Sequence, residues 1–168
     1  MQEIARLEGL AWDAALPPLA DLLVEAVASG AALGFRDVPA HEEALAAWRG
    51  WARDPKRIVL VAREAGAVVG SVQLDLAQAQ NARHRAELVK LMVRVDRRGR
   101  GLGARLVAAA LAEARRAGRS TVWLCTTEGE GAERLYAGAG FTRAGAIPAW
   151  SERPAGVWRA ASFWWIRL

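Results

Sequence analysis

The sequence predicts an α/β fold with a mixed sheet flanked by helices. Three observations carry that reading. Leu88–Val95 is a short apolar run, which suits a strand buried on both faces; an Arg- and Gly-rich turn follows it, then apolar residues at helical spacing through Leu106, Ala109, Ala110, Ala114 and Ala117. A second β-rich run, Ser120–Thr126, comes straight after that helix, so the two strands are expected to lie parallel and adjacent. Earlier, Arg57–Arg63 and Val68–Leu76 flank a turn containing Gly66, the spacing of an antiparallel hairpin.

The remaining elements follow in order. Gln2–Leu7 suits an edge strand. Pro17-Pro18 suits the start of a helix, whose apolar face is Leu19, Leu22, Leu23, Ala26 and Val27. Gly30–Phe35 is a break of small residues. Pro39 with Glu42 and Glu43 opens a second helix carrying Leu45, Trp48 and Trp51, and Asp54-Pro55 stops it. Residues Ala77–Arg83 are polar and irregular. The helix after the Gly-rich turn begins near Ala104 and closes at Gly118. Ala132–Ala139 reads as a short helix stopped by Gly140, and Phe141–Ile147 and Val157–Leu168 as a closing pair of strands around a loop, Pro148–Gly156. The order is β-α-α-β-β-β-α-β-α-β-β. With no internal repeat, low-complexity tract or linker, residues 1–168 read as one domain.

Composition narrows the class. Hydrophobic residues at 53% and charged residues at 24% describe a globular protein, and no apolar stretch has the length of a membrane span. MQEIARLEGL carries Glu3 and Glu8 and is not a secretory signal. One cysteine, Cys125, permits no internal disulfide, in keeping with a cytoplasmic protein. The net charge of +5 is almost wholly arginine, spread among acids, which argues for composition bias rather than nucleic-acid binding. No set of His, Cys and acidic residues has metal-ligand spacing.

The chemistry points to Asp96–Gly103, with three arginines and three glycines before a helix. Unpaired N–H groups at a helix N-terminus and its dipole favour an anion, and Arg97, Arg98 and Arg100 favour the same ligand. A P-loop would need Gly-Lys-Ser/Thr, which is absent. A dinucleotide fingerprint would need G-x-G-x-x-G, whereas Gly99, Gly101 and Gly103 are spaced G-x-G-x-G. A tight turn with solvated arginines is the alternative. The pattern that fits is Arg98-x-x-Gly101-x-Gly103, which resembles the acetyl-coenzyme A pyrophosphate loop of the GNAT superfamily of N-acetyltransferases. The element order is similar to the GNAT fold over nearly the whole chain. His84–Leu91, Gly70–Leu74 and Gly34-Phe35 resemble a branch that includes tabtoxin-resistance acetyltransferases, and Ala132–Tyr136 with Gly140-Phe141 looks like the superfamily's second conserved segment. The chain departs from that branch at Ala32, at Cys125-Thr126 and at Ala149–Gly156.

The resemblance implies an acetyltransferase that uses acetyl-coenzyme A as cosubstrate and acetylates a primary amine of a small molecule by direct attack. A peptide or protein amine is the second acceptor class, and a non-catalytic acyl-coenzyme A sensor the alternative from another class. It assigns the pyrophosphate to backbone groups of Arg98, Gly99, Arg100, Gly101, Leu102 and Gly103, and the pantetheine arm to those of Met92, Val93 and Val95, with the Val93 N–H polarising the thioester carbonyl. Tyr136 is the candidate acid, with core packing as its other reading; Glu87 is the candidate base, with a solvated strand-end acid as its other reading and His84 or water as substitutes. Cys125 reads as a buried inert thiol. Trp150 and Phe35 are the acceptor-side candidates. Trp164-Trp165 point to opposite faces of a strand, which leaves one at the surface and room for a homodimer.

Overall fold

The computed structural model describes residues 2–168. Seven strands, β1 (Gln2–Arg6), β2 (Arg57–Glu64), β3 (Ala67–Leu76), β4 (Arg85–Val93), β5 (Thr121–Thr127), β6 (Thr142–Arg153) and β7 (Val157–Arg167), form one sheet in the order β1-β2-β3-β4-β5-β7-β6. Only β4 and β5 pair in parallel. Their crossover is α3 (Leu102–Arg116). The other helices are α1 (Ala11–Ala28), α2 (His41–Ala52) and α4 (Ala132–Gly138). The order of elements and the mixed sheet are those expected.

Two apolar cores sandwich the sheet. Ile58, Leu60, Val72, Leu74, Ala86, Leu88, Val122, Leu124 and Trp164 meet Leu106, Val107 and Ala110 of α3 and Tyr136 of α4. On the other face Val59, Val61, Val68 and Met92 meet Leu19, Leu23 and Ala26 of α1 and Trp48 of α2. The alternation that splits Ile58 and Leu60 from Val59 and Val61 is the period of two that a strand buried on both faces must show.

Turn chemistry explains the joints. The β2–β3 hairpin turns on Ala65 and Gly66, both left-handed, the backbone of a two-residue turn that matches strand twist. Helix α3 ends in a Schellman motif: Gly118 is left-handed, its N–H meets Arg115 O, and Arg119 N–H meets Ala114 O.

Three expectations need correction. Helix α1 begins at Ala11, with Pro17 and Pro18 inside it. Trp12, Ala15, Leu16 and Leu19 continue its apolar row onto the core, and that burial outweighs the missing N–H groups. Strand β4 stops at Val93: Val95 opens a 3₁₀ turn (Val95–Arg97) and is 48% exposed, so it offers no strand edge. Pro148 does not end β6. Residues Pro148–Trp150 bulge out between the pairs Ile147–Ala161 and Ser151–Arg159, and Trp150 belongs to the strand rather than a loop. An edge strand tolerates proline at such a bulge.

Gly70 of β3 lies directly under α3. A Cβ there would come within 3.0 Å of both Leu106 Cδ1 and the Met92 carbonyl oxygen. The leucine tip can move; the backbone oxygen cannot. Gly70→Ala is therefore expected to destabilise the fold by about 1–3 kcal/mol, measured as a lower denaturation midpoint with an unchanged slope.

Candidate active site

The site begins where β4 and β5 separate. Their parallel ladder holds only Arg85–Thr121, Ala86–Val122 and Glu87–Trp123. Beyond Glu87 the strands diverge, because β4 carries a bulge: its register against β3 shifts between Gln73–Val89 and Ser71–Met92, and Lys90 takes φ +54°. The extra residue reverses the side-chain parity. Ala86 and Leu88 face α3, whereas Met92 faces α1 and α2.

The same bookkeeping orients the backbone. Arg94 N–H donates to Val69 O at 3.0 Å, so in this antiparallel register Arg94 and Met92 turn their N–H groups to β3. Val93 between them turns its N–H and C=O toward the gap. One of those groups is taken: Arg98 Nε donates to Val93 O at 3.0 Å. The gap widens into a groove of about 770 Å³ lined by Ser29 and Gly30, by Met92 and Val93, by the 97–104 turn, and by Leu135 of α4.

The far end of the groove is the helix α3 N-terminus. Gly101 is its N-cap, left-handed at φ +77°, and Gly99 is left-handed at φ +73°. Arg105 N–H is the first to reach back, to Gly101 O. The N–H groups of residues 99–104 donate to no backbone carbonyl among the described residues, a row of donors at the positive end of a helix dipole. The Arg98 N–H, expected in that row, is instead spent on Val95 O (3.3 Å) in the 3₁₀ turn. That row fits a pyrophosphate, and the turned-out backbone of Val93 fits an amide-bearing arm. Gly103 also serves packing: a Cβ there would touch Leu135 Cδ2 at 3.4 Å. The loop arginines divide. Arg97 is paired with Glu64 and Asp96, and Arg98 bridges Val93 O and Ser29 Oγ (2.7 Å), so their side chains are held by the protein.

Glu87 stands at the vertex, in one cross-strand row with Arg57, Asp75, Trp123 and Trp165. Burial, then the Asp75 charge, push its carboxyl above the usual carboxylate range, against Arg57 and Lys90. Arg57 is committed to Asp75 (2.9 Å) and Gln73 (2.9 Å). Inside the gap on the same side lie Lys90 and Cys125. Burial pushes Lys90 down to about 8 and raises the Cys125 thiol. Trp150 packs edge-on against Phe163 (5.0 Å between ring centres), and Phe163 stacks on Trp123 (6.4 Å). This makes an aromatic wall beside the carboxylate.

Tyr136 approaches from the α3 face. Gly140, left-handed, lets Phe141 N–H return to Tyr136 O, and the Phe141 ring packs on the Tyr136 ring at 5.9 Å. The Gly140-Phe141 pair thus fixes the tyrosine. Burial and the neighbouring Cys125 raise its phenol further above its ordinary value, so it holds its proton at neutral pH.

Of the residues expected at the site, Met92, Val93 and the 98–103 turn line the groove. Glu87 sits at the last β4–β5 pair, Tyr136 is buried in the core on the α3 face, and Trp150 packs on Phe163, all three outside the groove's lining. Phe35 lies in the segment joining α1 and α2, half-buried against the α1–α2 core. His84 is exposed at the closed end of the β4–β5 pair, where its carbonyl accepts from Ser120 and Thr121. Trp164 is buried and Trp165 is 42% exposed. Sequence reasoning missed Lys90, Trp123, Phe163 and Arg153. Arg153, at the β6–β7 tip, reaches across the mouth of the gap to Gly30 O, Thr127 Oγ1 (2.9 Å) and Glu130 (3.6 Å). A lysine within an apolar run, in a chain with few lysines, was a readable signal for Lys90; Arg153 left none.

A parted pair of parallel strands leading to a helix N-terminus defines a site for an extended ligand with an anionic end. The acetyltransferase (GNAT) family model matches residues 24–141, and the chain belongs to that family. It is an acetyltransferase that uses acetyl-coenzyme A. Solved structures agree over the whole length. The chain is similar to a ribosomal-protein-alanine N-acetyltransferase from Brucella melitensis at 26% identity and TM-score 0.83, covering 99% of each chain. It is similar to a putative acetyltransferase from Salmonella typhimurium, determined with its cofactor acetyl-CoA, at 23% identity and TM-score 0.81, covering 100% of this chain and 94% of that one. A putative phosphinothricin N-acetyltransferase matches in fold at 18% identity and TM-score 0.84, covering 100% and 99%.

A Cβ on Gly101 would meet no atom within 4 Å, so a substitution there acts through backbone conformation alone. Gly101→Ala is expected to cost about 1–2 kcal/mol of stability and to weaken acetyl-coenzyme A binding roughly tenfold, read by denaturant titration and calorimetry.

Proposed function

We propose that this enzyme acetylates the primary amine of a small molecule, that residues 1–168 act as one catalytic unit, and that Glu87 and Tyr136 handle the protons. The observation that carries this reading is the position of Glu87: a carboxyl at the vertex of the β4–β5 gap, on the face walled by Trp123, Phe163 and Trp150.

When bound, acetyl-coenzyme A supplies an acetyl group activated as a thioester. Its pyrophosphate is held by the N–H groups of residues 99–104, and its arm lies along β4 at Met92 and Val93, where the Val93 N–H is the group left open and the Val93 carbonyl already accepts from Arg98. The Val93 N–H, pointing into the gap, is an electrophilic donor. Glu87 takes a proton from the acceptor ammonium; its raised pKa brings it closer to the amine in basicity than an exposed carboxylate would be. Tyr136, protonated at neutral pH, gives a proton to the leaving thiolate from the opposite face of the sheet. Aromatic surface beside Glu87 suits an acceptor with an apolar body. The tabtoxin-resistance branch resemblance supports a small acceptor. The Brucella relative, a ribosomal-protein-alanine N-acetyltransferase at 26% identity, supports the second reading, a peptide amine.

Tyr136→Phe is expected to lower kcat by about 10²-fold or more with little change in acetyl-coenzyme A affinity, measured by thiol release over a panel of amines and amino-terminal peptides. An unchanged kcat removes the acid role. A base works only when deprotonated, so the rate falls as pH drops through the raised Glu87 pKa. The acid limb of the kcat/KM profile should therefore lie above the ordinary carboxylate range, and Glu87→Gln should depress the rate and abolish that limb. A Glu87→Gln profile identical to wild type rules the carboxylate out.

A further inference from the structure

The chemistry above gives Lys90 no part, yet the site holds it with unusual care. It is the bulge residue of β4, in a left-handed backbone that an L side chain adopts only under constraint. Its ammonium lies 5.1 Å from the centre of the Trp51 ring on α2 and donates to the Leu33 carbonyl oxygen. Leu33 belongs to the stretch between α1 and α2, residues 29–40, which has no regular secondary structure. Leu33 is itself left-handed at φ +48°, and Gly34 follows at φ +84°. A Cβ on Gly34 would sit 3.1 Å from Lys90 Nζ, so the approach of ammonium to backbone is close enough to favour glycine. Two constrained non-glycine residues thus meet through one charge-assisted hydrogen bond. The ends and apolar side chains of the stretch have other anchors: Arg98 reaches Ser29 Oγ (2.7 Å), Arg153 holds Gly30 O, Ala31 N–H returns to Ala26 O (3.1 Å), and Leu33 and Phe35 pack on the α1–α2 core. At the backbone of 33–35 the Lys90 bond is joined only by Phe35 N–H to Ala32 O (2.8 Å) among the described residues. Lys90 lies on the same strand as Glu87, and the other groups that bear on its charge are Arg57 on β2 and Cys125 on β5.

We propose that Lys90 is a positioning residue for the acceptor: its ammonium fastens the Leu33–Phe35 segment to β4, and this segment is the wall of the acceptor pocket opposite Trp150 and Phe163. The proposal rests on the reading of Glu87's face as the acceptor side. It makes acceptor affinity depend on the charge of Lys90 rather than on its bulk, and it spares the acetyl-coenzyme A groove, whose lining takes Ser29, Gly30, Met92, Val93 and the 97–104 turn but neither Lys90 nor Leu33–Phe35.

The test is Lys90→Met, which keeps the stem and removes the charge. Replacing a buried charge by an apolar side chain of similar size is commonly tolerated, so the variant is expected to fold. Amide hydrogen exchange of residues 31–38 should quicken about tenfold, the worth of one charge-assisted hydrogen bond. The acceptor KM should rise by a similar factor, while kcat and acetyl-coenzyme A affinity stay within about twofold. Gly34→Ala, which leaves Lys90 in place but pushes the segment off it, should reproduce both effects. Exchange in residues 31–38 that matches wild type in both variants overturns the proposal. So does a loss carried by kcat with KM unchanged, which would put Lys90 in the chemistry. The exchange measurement needs no acceptor, so failure to find any amine substrate would strike the functional reading and leave the fastening to be decided separately.

Discussion

One extra residue in β4 governs this molecule. With Lys90 inserted, β4 keeps its ladder to β3 by shifting register, and it parts from β5 after three residue pairs. Two strands that remained paired would satisfy each other's backbone groups and leave no site. Parted, they present an unpaired edge in the middle of a sheet, the most demanding place to leave N–H and C=O groups exposed. A ligand with amides of its own can satisfy that edge, which gives a physical reason for the use of acetyl-coenzyme A in an otherwise ordinary α/β sandwich.

The rest of the architecture holds the gap at fixed width. Helix α3 crosses from β4 to β5 and plants its N-terminus at one end, with Gly70 allowing it to sit close on β3. Helix α4 brings Tyr136 from one face, fixed by the backbone and ring contacts of Phe141. On the other face, the β6–β7 hairpin brings Trp150, and Arg153 bridges the mouth. The titratable groups then differ by their surroundings. Glu87 is raised by burial and Asp75, Tyr136 by burial, and Lys90 is lowered by burial. Burial disfavours charge in each case, so a dry site moves the carboxyl and the ammonium toward each other in basicity.

Much of this was legible in the sequence, because hydrophobic period and turn glycines report local backbone state. All eleven elements and their order followed from them, as did Gly118 and Gly140 as helix stops. The failures have specific causes. Pro17-Pro18 suggested a helix start because proline lacks an N–H, but the row from Trp12 to Leu19 buried enough surface to extend the helix upstream. Pro148 suggested a strand end, but an edge strand absorbed it as a bulge. The β4 bulge was invisible because Lys90 is not glycine, and nothing in Leu88–Val93 announces a left-handed residue. Without it, the run reads as one strand continuing to Val95, and Lys90 has no assigned direction. The anion turn was read from its glycines and arginines before a helix, and the candidate acid and base were proposed through motif resemblance. The aromatic wall of Trp123 and Phe163 was not, since it exists only once β7 pairs with β5.

The central claim is that the β4–β5 gap and the 98–103 turn together receive acetyl-coenzyme A and no other nucleotide cofactor. Thermal unfolding of the purified protein, alone and with acetyl-coenzyme A, NADH or ATP at fixed salt, tests it most directly. A ligand at about a hundred times its Kd stabilises the folded state by roughly 2.7 kcal/mol, a rise of several degrees. A rise with acetyl-coenzyme A and none with NADH or ATP is the predicted result. An equal rise with NADH or ATP, or none with saturating acetyl-coenzyme A, would contradict it.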